Sequence, residues 1–238
     1  MNEALGRVWS DVLGVQAAPA TEAIWASALV ALAVVIVPAT WRPARHVVTI
    51  AHEGAHAVAA LVSGRRLAGI RLHSDSSGLT LSRGRARGPG MVLTAAAGYV
   101  GPGLLGLGAA YLLHRGHALG VLWLVVLLLG LLLLQIRNFH GLYAVLVAGA
   151  AVFVVSRWAS PTWQSLTAYA GTWFLLLAAP KTAVELQRSR RRGRARTSDA
   201  DTLAGLTRVP ALVWVGLFLF VDVGALVLGG RWIIAPTG

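Results

Sequence analysis

The sequence predicts an all-α polytopic membrane protein with about seven transmembrane helices and a small β-hairpin on the cytoplasmic side. Hydrophobic residues make up 56% of the chain and charged residues only 13%, a composition typical of proteins that cross a membrane several times. The net charge is +12, but the arginines gather in short segments between apolar runs, as the positive-inside rule expects. This placement argues against nucleic acid as a partner and favours anionic lipid headgroups.

The predicted spans are apolar runs long enough for about 30 Å of hydrocarbon at 1.5 Å per helical residue. They cover residues 24–41, 46–62, 91–113, 118–136, 142–156, 161–180 and 209–228. A break at 42–45, which contains Pro43 between two arginines, separates the first two spans. The whole chain, 1–238, is predicted to be a single membrane-embedded domain with a basic linker at about 187–198.

Residues 67–82 have the pattern of a β-hairpin. Two short segments of partly alternating apolar and polar residues flank a Ser/Asp/Gly turn at 74–78. Arginines surround the hairpin, and two interpretations follow. It is either a solvated loop on anionic headgroups or an edge strand that pairs with an unfolded substrate.

The distribution of arginine also predicts the topology. Segments 65–88 and 181–196 are both rich in arginine, so both are expected in the cytoplasm of a protein in the cell membrane. Four predicted spans separate them, which is compatible with one shared side. Two predicted spans precede the first segment and one follows the second. The N-terminus is therefore expected in the cytoplasm and the C-terminus outside.

One short motif within the second predicted span carries the chemistry. His52, Glu53 and His56 form the pattern H-E-x-x-H, which on a helix places both imidazoles on one face, one turn apart. Two such nitrogens can bind Zn²⁺, and the glutamate can take a proton from the water that the metal polarises. The chain has no cysteine, so a transition-metal site must use histidine and carboxylate.

A catalytic zinc usually has three protein ligands, and the sequence leaves the third open. Asp199 is favoured and Asp201 is second, because both precede the last span on the side of the arginine-rich segments. Either could instead cap a short helix, for which Ser198 is another candidate cap. The weaker candidates are Asp222, within the last span, and Glu185, His73 and His140.

Asn138 follows the fourth predicted span and allows two interpretations. Its amide could stabilise an oxyanion or hold a substrate carbonyl. Alternatively, it could cap the C-terminus of a helix, a position that suits asparagine. The spacing alone leaves both open.

Taken in order, these motifs resemble the site-2 protease group of intramembrane zinc metalloproteases, the M50 family, and within it the M50B-like branch. The resemblance rests on H-E-x-x-H at 52–56, Gly69-Ile70-Arg71-Leu72, Ala97-Gly98-Tyr99-Val100-Gly101-Pro102, Arg137-Asn138, and Ser198-Asp199-Ala200-Asp201. Better-known members carry the third ligand in an Asp-Gly pair, which this chain lacks, and an Asn-Pro pair where Asn138 precedes Phe139.

The resemblance implies a zinc peptidase that cleaves membrane-anchored proteins in regulated intramembrane proteolysis. His52, His56 and Asp199 or Asp201 would hold Zn²⁺, with Glu53 and Asn138 as the catalytic residues. The alternative is a non-catalytic membrane binding protein that retains the motif. Glu53 favours the enzyme, because a purely structural metal site needs no general base. A metal-ion transporter is a weaker interpretation, since few polar residues are available to line a path.

Overall fold

The computed structural model describes residues 6, 9–10, 12–193 and 197–235. Between residues 21 and 235 it contains eight helices and one two-stranded sheet. The elements, in chain order, are α1 Thr21–Ile36, α2 Pro38–Val62, β1 Arg66–Leu72, β2 Gly78–Arg83, α3 Pro89–His114, α4 Ala118–Leu133, α5 Phe139–Trp158, α6 Pro161–Arg191, α7 Asp199–Thr207 and α8 Ala211–Ile234.

Each predicted span coincides with a helix, but seven transmembrane helices are not confirmed. Within the described residues, three helices are long and apolar enough to cross a membrane, namely α3, α5 and α8. The count rises to four if α1 and α2 form one broken span. Helix α4 is apolar but has only 16 residues. Helix α6 is apolar in its first part and ends in arginines.

The first break in the helical chain lies at Val37, earlier than the sequence predicts. Val37 has an extended backbone, and Pro38 begins α2, where its missing N–H leaves no helical hydrogen bond unmade. Helices α1 and α2 therefore meet at 98°. The predicted break at 42–45 is wrong, because α2 continues through Pro43. A proline at this position removes one helical hydrogen bond, and the helix continues on either side.

Helix α2 begins and ends at the same end of the helix bundle, which we call the site end. The site end contains the start of α3, the end of α6, and α7, whose residues Ala95, Leu186 and Leu203 belong to one buried cluster. Near the start of α2, Trp41 Nε1 donates to Glu185 of α6 at 2.9 Å. After its last turn, Ser63 touches the start of α3 at Gly90. The helix thus lies across the site end.

The N-terminal segment packs at the opposite end of the bundle. The N–H of Gln16 donates to the carbonyl of Gly116 at 2.7 Å, and its side chain accepts from the N–H of Leu119 at 3.0 Å. Gly116 lies just after α3, one whole helix away from the arginine-rich hairpin. Gln16 therefore lies at the end of α3 opposite to the hairpin, and the side of the membrane on which the N-terminus lies stays a prediction. The sequence count assumed two spans before the hairpin, whereas α2 lies across the site end.

The predicted hairpin is present at 66–83, and the sequence did not reveal a third extended segment beside it. Strand β1 pairs antiparallel with β2 on one side. On its other side, the N–H of Ile70 donates to the carbonyl of Gln135 at 2.7 Å, and the N–H of Arg137 donates to the carbonyl of Ile70 at 2.9 Å. The chain between α4 and α5 therefore covers the outer edge of β1, which leaves β2 as the open edge.

Small residues on α3 allow close packing of helices, as its composition predicts. A side chain at Gly101 would meet the β-carbon of Ala55 on α2, and one at Gly106 would meet Leu176 on α6. These approaches bring α3 against α2, so the residues of α3 at the site end come close to the histidines of α2.

Candidate metal centre and catalytic site

Three side chains converge at the site end with one ligand atom each. The Nε2 atoms of His52 and His56 lie 3.1 Å apart, and Oδ2 of Asp199 lies 3.2 and 3.3 Å from them. In a tetrahedral zinc site with ligands at about 2.0–2.1 Å, neighbouring ligand atoms lie about 3.3 Å apart. The three atoms therefore fit one face of such a tetrahedron, and two imidazoles with one carboxylate are a suitable ligand set for zinc.

The surroundings of His56 direct its Nε2 towards this cluster. Its Nδ1 lies 2.7 Å from the carbonyl oxygen of Thr94 on α3. Because a carbonyl can only accept a hydrogen bond, Nδ1 carries the proton, and in the neutral ring Nε2 keeps its lone pair for a metal. The ring of His52 is held differently, edge-on against Tyr99 at 4.8 Å, and Tyr99 in turn stacks on Phe218.

Asp199 is placed by the start of α7. Ser198 is the N-cap and forms a capping box with Asp201, and Asp201 also pairs with Arg190 of α6 at 2.9 Å. Ala200 and Leu203 are fully buried, which anchors the helix. The two aspartates are thus separated in space: Asp199 points at the histidines, while Asp201 is engaged in capping and an ion pair.

The carboxyl of Asp199 is suited to stay ionised. Burial of this group opposes its charged form, but while no metal is bound, hydrogen bonds and positive charge from the protonated rings of His52 and His56 outweigh burial and lower the pKa of Asp199. An ionised carboxylate is the form that ligates a metal.

Glu53 lies beside the cluster, almost fully buried, with 3% of its surface exposed. The hydroxyl of Thr80 on β2 donates to Oε2 of Glu53 at 2.6 Å and also contacts its backbone carbonyl at 3.1 Å. Gly78 leaves room for the carboxylate, since a β-carbon there would lie 2.4 Å from Oε1. The hairpin therefore holds the predicted general base, and the sequence reading had identified neither Thr80 nor Gly78.

The open edge of β2 passes next to this carboxylate. Ile70 and Thr80 lie opposite each other in the antiparallel hairpin. The N–H and C=O of Ile70 bond to residues 135–137, so Ile70 and Thr80 form no backbone hydrogen bonds with each other. The N–H and C=O of Thr80 consequently point to the outer edge of β2. Such an edge can accept a further strand.

Asn138 lies at the start of α5 and so is not the C-terminal cap that one interpretation expected. Its Nδ2 donates to the carbonyl of Leu72 at 2.6 Å, and its Oδ1 accepts from the N–H of Leu72 at 3.1 Å. The amide therefore holds the end of β1 from the side, continuing the contacts of residues 135–137.

The weaker ligand candidates lie elsewhere. Within the described part of the chain, only the group His52, His56 and Asp199 is close enough to share a metal. Glu185 accepts from Trp41 and lies 3.8 Å from Arg45, the ion pair that its arginine-rich surroundings predict. Asp222 is fully buried next to Gly103. His140 contacts the ring of His46 at 5.6 Å, and His73 lies at the hairpin turn.

A cavity of about 260 Å³ opens onto the cluster and is lined by His52, Glu53, Asp199, Tyr99 and Ser76, among others. It joins the ligand atoms and the buried carboxylate in one space. The family comparison agrees with this arrangement, since the family model described as Peptidase M50B-like matches residues 25–229.

The chain belongs to the M50B-like peptidase family. The family is one of metallopeptidase-type hydrolases, which fits three side chains that could hold a metal ion beside a buried glutamate. The match includes all of α2, the hairpin and α7, and therefore every residue of the triad. Neither a curated protein nor a solved structure matches the chain significantly.

Gly98 is a further residue of the site, which lies among the small residues of the third span and in the motif at 97–102 but for which the sequence alone predicts no role. A β-carbon at this position of α3 would lie 2.4 Å from Nε2 of His56 and 2.7 Å from the ring of His52. Gly98→Ala is expected to displace the ligating rings and lower zinc affinity by about 10–100-fold, the usual effect of disturbing the support of a ligand. Zinc titration of the purified protein measures this change.

The matched control is Gly108→Ala on the same helix, where a β-carbon meets no atom within 4 Å. This variant should bind zinc like the wild type and should be slightly more stable, since alanine favours a helix over glycine. Equal zinc affinity in the two variants would contradict the close approach of α3 to the histidines.

Proposed function

We propose that this M50B-like peptidase is an intramembrane zinc metalloprotease that cleaves membrane-anchored proteins. The observation that carries the proposal is the triangle of His52, His56 and Asp199 beside the buried carboxylate of Glu53. A zinc ion bound by the three side chains would polarise the scissile carbonyl and lower the pKa of water to about 7.

The role of Glu53 is proton transfer. Thr80 bonds to Oε2, which fixes the carboxylate and leaves Oε1 to take a proton from the attacking water. The same carboxyl then delivers that proton to the nitrogen of the leaving amine. The low exposure of Glu53 strengthens its interactions with the reacting groups, because little water screens them.

The substrate is held in an extended conformation along β2. Proteases act on extended backbone, and a membrane-anchored helix has to unwind before its amide can enter the site. The outward N–H and C=O of Thr80 offer backbone hydrogen bonds beside Glu53. Asn138 supports this surface by holding Leu72. A direct contact with the oxyanion would use the second N–H of its amide.

We propose that this protein is a multi-pass protein of the cell membrane and that it forms a single metalloprotease-like domain. The arginine-rich hairpin and the end of α6 lie in the cytoplasm near anionic headgroups, and the C-terminus lies outside. The packing of Gln16 beside Gly116 supports an N-terminal segment on the outer side as well, in place of the cytoplasmic N-terminus that the sequence predicts. Helices α1, α3, α4, α5, α6 and α8 would then cross, with α2 at the cytoplasmic boundary.

Single cysteines test this topology without background, because the chain has none. Val15, which is 66% exposed, and Arg85, in the exposed loop after β2, are suitable positions. In intact cells, Val15→Cys should react with a membrane-impermeant maleimide, and Arg85→Cys should react only after permeabilisation. Labelling of Arg85→Cys in intact cells, or protection of Val15→Cys, would reverse or reject the orientation.

The function is tested by comparing the membrane proteins of cells that express the wild type or His56→Ala. Loss of one histidine should leave too few ligands for zinc, so at least one membrane-anchored protein should remain full-length in the variant. His73→Ala is the control, because His73 is exposed and outside the triad. If no membrane protein differs in length between wild type and His56→Ala, a non-catalytic binding protein becomes the better description.

A further inference from the structure

A second, larger cavity lies next to the candidate metal centre. It has a volume of about 740 Å³ and lies between the start of α2, the end of α6 and the hairpin turn. Its charged lining consists mainly of Arg42, Arg45, Arg188 and Arg192, with Asp75 and Glu185 as the two carboxylates. We call it the basic cavity.

Both carboxylates of the basic cavity are already engaged within the chain. Glu185 accepts a hydrogen bond from Trp41 at 2.9 Å and lies 3.8 Å from both Lys181 and Arg45. Asp75 accepts from the N–H and the hydroxyl of Ser77, at 2.9 and 2.6 Å.

Unlike Arg45, the other arginines of the basic cavity have no carboxylate partner to neutralise their charge within the described residues. Arg42, Arg188 and Arg192 form no ion pair with any carboxylate in the part of the chain that the structure describes. All three are exposed at the cavity wall. The cavity therefore has an excess of positive charge directed at its interior.

The basic cavity adjoins the site of the proposed reaction. Arg45 and Ser76 line both cavities, and Thr49 connects α2 to the hairpin turn by donating to the carbonyl of Ser76 at 2.8 Å. Arg45 and Arg42 precede His52 by two and three helical turns, about 10 and 15 Å at 1.5 Å per residue. An extended peptide covers these distances in about three to five residues.

We propose that the basic cavity binds aspartate or glutamate side chains of the substrate, about three to five residues to one side of the scissile bond. The proposal rests on the protease function and specifies its substrate class, a membrane-anchored protein with an acidic segment beside the cleaved bond. Guanidinium groups recognise carboxylates with two parallel hydrogen bonds. Each exposed pair contributes little alone, so selectivity depends on several arginines acting together.

The positions of the arginines favour a peptide over a lipid headgroup as the ligand of the basic cavity. The cavity shares Arg45 and Ser76 with the cavity at the candidate metal centre, and the hairpin turn forms one of its walls. An anionic lipid would be attracted equally by Arg83, Arg85 and Arg87, which are exposed outside the cavity at the end of β2 and in the loop that follows it. These three residues therefore supply a control with the same loss of charge.

The test measures binding to Glu53→Gln, which is expected to turn over a substrate about 10²–10⁴-fold more slowly than the wild type. The probes are a fluorescent apolar peptide with a flanking run of glutamates and its counterpart with glutamines, in uncharged detergent. Adding Arg42→Gln, Arg188→Gln and Arg192→Gln should weaken binding of the glutamate peptide about tenfold and leave the glutamine peptide unchanged. Adding Arg83→Gln, Arg85→Gln and Arg87→Gln should change neither by more than about twofold.

Other outcomes overturn the proposal. Equal losses in the two triple variants would show a general charge effect, and equal affinity for the two peptides would show no acidic preference. Lipid binding is measured separately, in micelles that contain either phosphatidylglycerol or phosphatidylcholine. If only the cavity variant loses binding of phosphatidylglycerol, and its peptide binding is unchanged, the cavity is a lipid site. Zinc content of each variant verifies folding.

The binding test is independent of the protease proposal. A missing acidic preference would reject the basic cavity as a substrate site while cleavage in cells could still be found. Conversely, acidic binding that depends on the cavity arginines would remain valid if no membrane protein were cleaved.

Discussion

Glu53→Gln should bind zinc like the wild type and lose catalysis by about 10²–10⁴-fold, the usual contribution of a general base. Glutamine keeps the size of the side chain, and its amide oxygen can still accept from Thr80, but it cannot take a proton from water. The triad of His52, His56 and Asp199 is left untouched. Zinc stoichiometry of purified protein and the rate of cleavage of a membrane-anchored substrate measure the two effects.

Glu22→Gln is a suitable control for this experiment, since Glu22 is exposed in the first turn of α1. It should retain both zinc and activity. Cleavage by Glu53→Gln at the wild-type rate would exclude this carboxylate as the base. Loss of zinc in Glu53→Gln would instead indicate that the buried carboxylate supports the ligands.

Asp199→Ala should lose stoichiometric zinc, whereas Asp201→Ala should keep it. The first change removes one of the three ligand atoms, and two ligands do not replace three. The second removes the capping box and the contact with Arg190, which should lower the free energy of unfolding by about 1 kcal/mol. Metal analysis and thermal unfolding of both purified variants distinguish the two roles. Zinc loss in Asp201→Ala alone would exchange them.

The candidate ligand positions could be predicted from the sequence because they depend on short-range geometry. The spacing of His52 and His56 is one helical turn, so both rings must share a face. Asp199 and Asp201 are both candidates because they precede the last helix, and this position does not decide between them. The capping box distinguishes them, since it turns Asp201 back onto Ser198 and leaves Asp199 free to face the rings. Capping patterns of this kind are visible in a sequence.

The support of the site could not be predicted in the same way. Thr80 and Glu53 are 27 residues apart in the chain, and no local pattern indicates that they meet. Gly98 is one of many glycines on α3, and only the packed structure reveals which one faces the ligands. Asn138 was noticed, but its bond to Leu72 depends on a strand-like segment that α4 and α5 bring to the hairpin.

The number of spans stays a prediction, because hydropathy measures the composition of a helix and not its direction. The apolar flanks of the motif have the composition of a spanning helix, and the break was assigned to the charged residues around Pro43. Pro38 and the extended Val37 determine the actual bend of 98°. Since α2 begins and ends at the site end, the topology that we propose has one crossing before the hairpin, whereas the sequence predicts two.

The transverse course of α2 has a consequence for the fate of the cleaved chain. Hydrolysis of an amide creates a new carboxylate and a new ammonium group, and such charges cost several kcal/mol in the middle of a bilayer. With α2 at the cytoplasmic boundary, both new termini would form beside the arginine-lined opening and become hydrated at once. The cytoplasmic fragment would then diffuse away, and the shortened anchor would remain in the lipid with its new end at the surface.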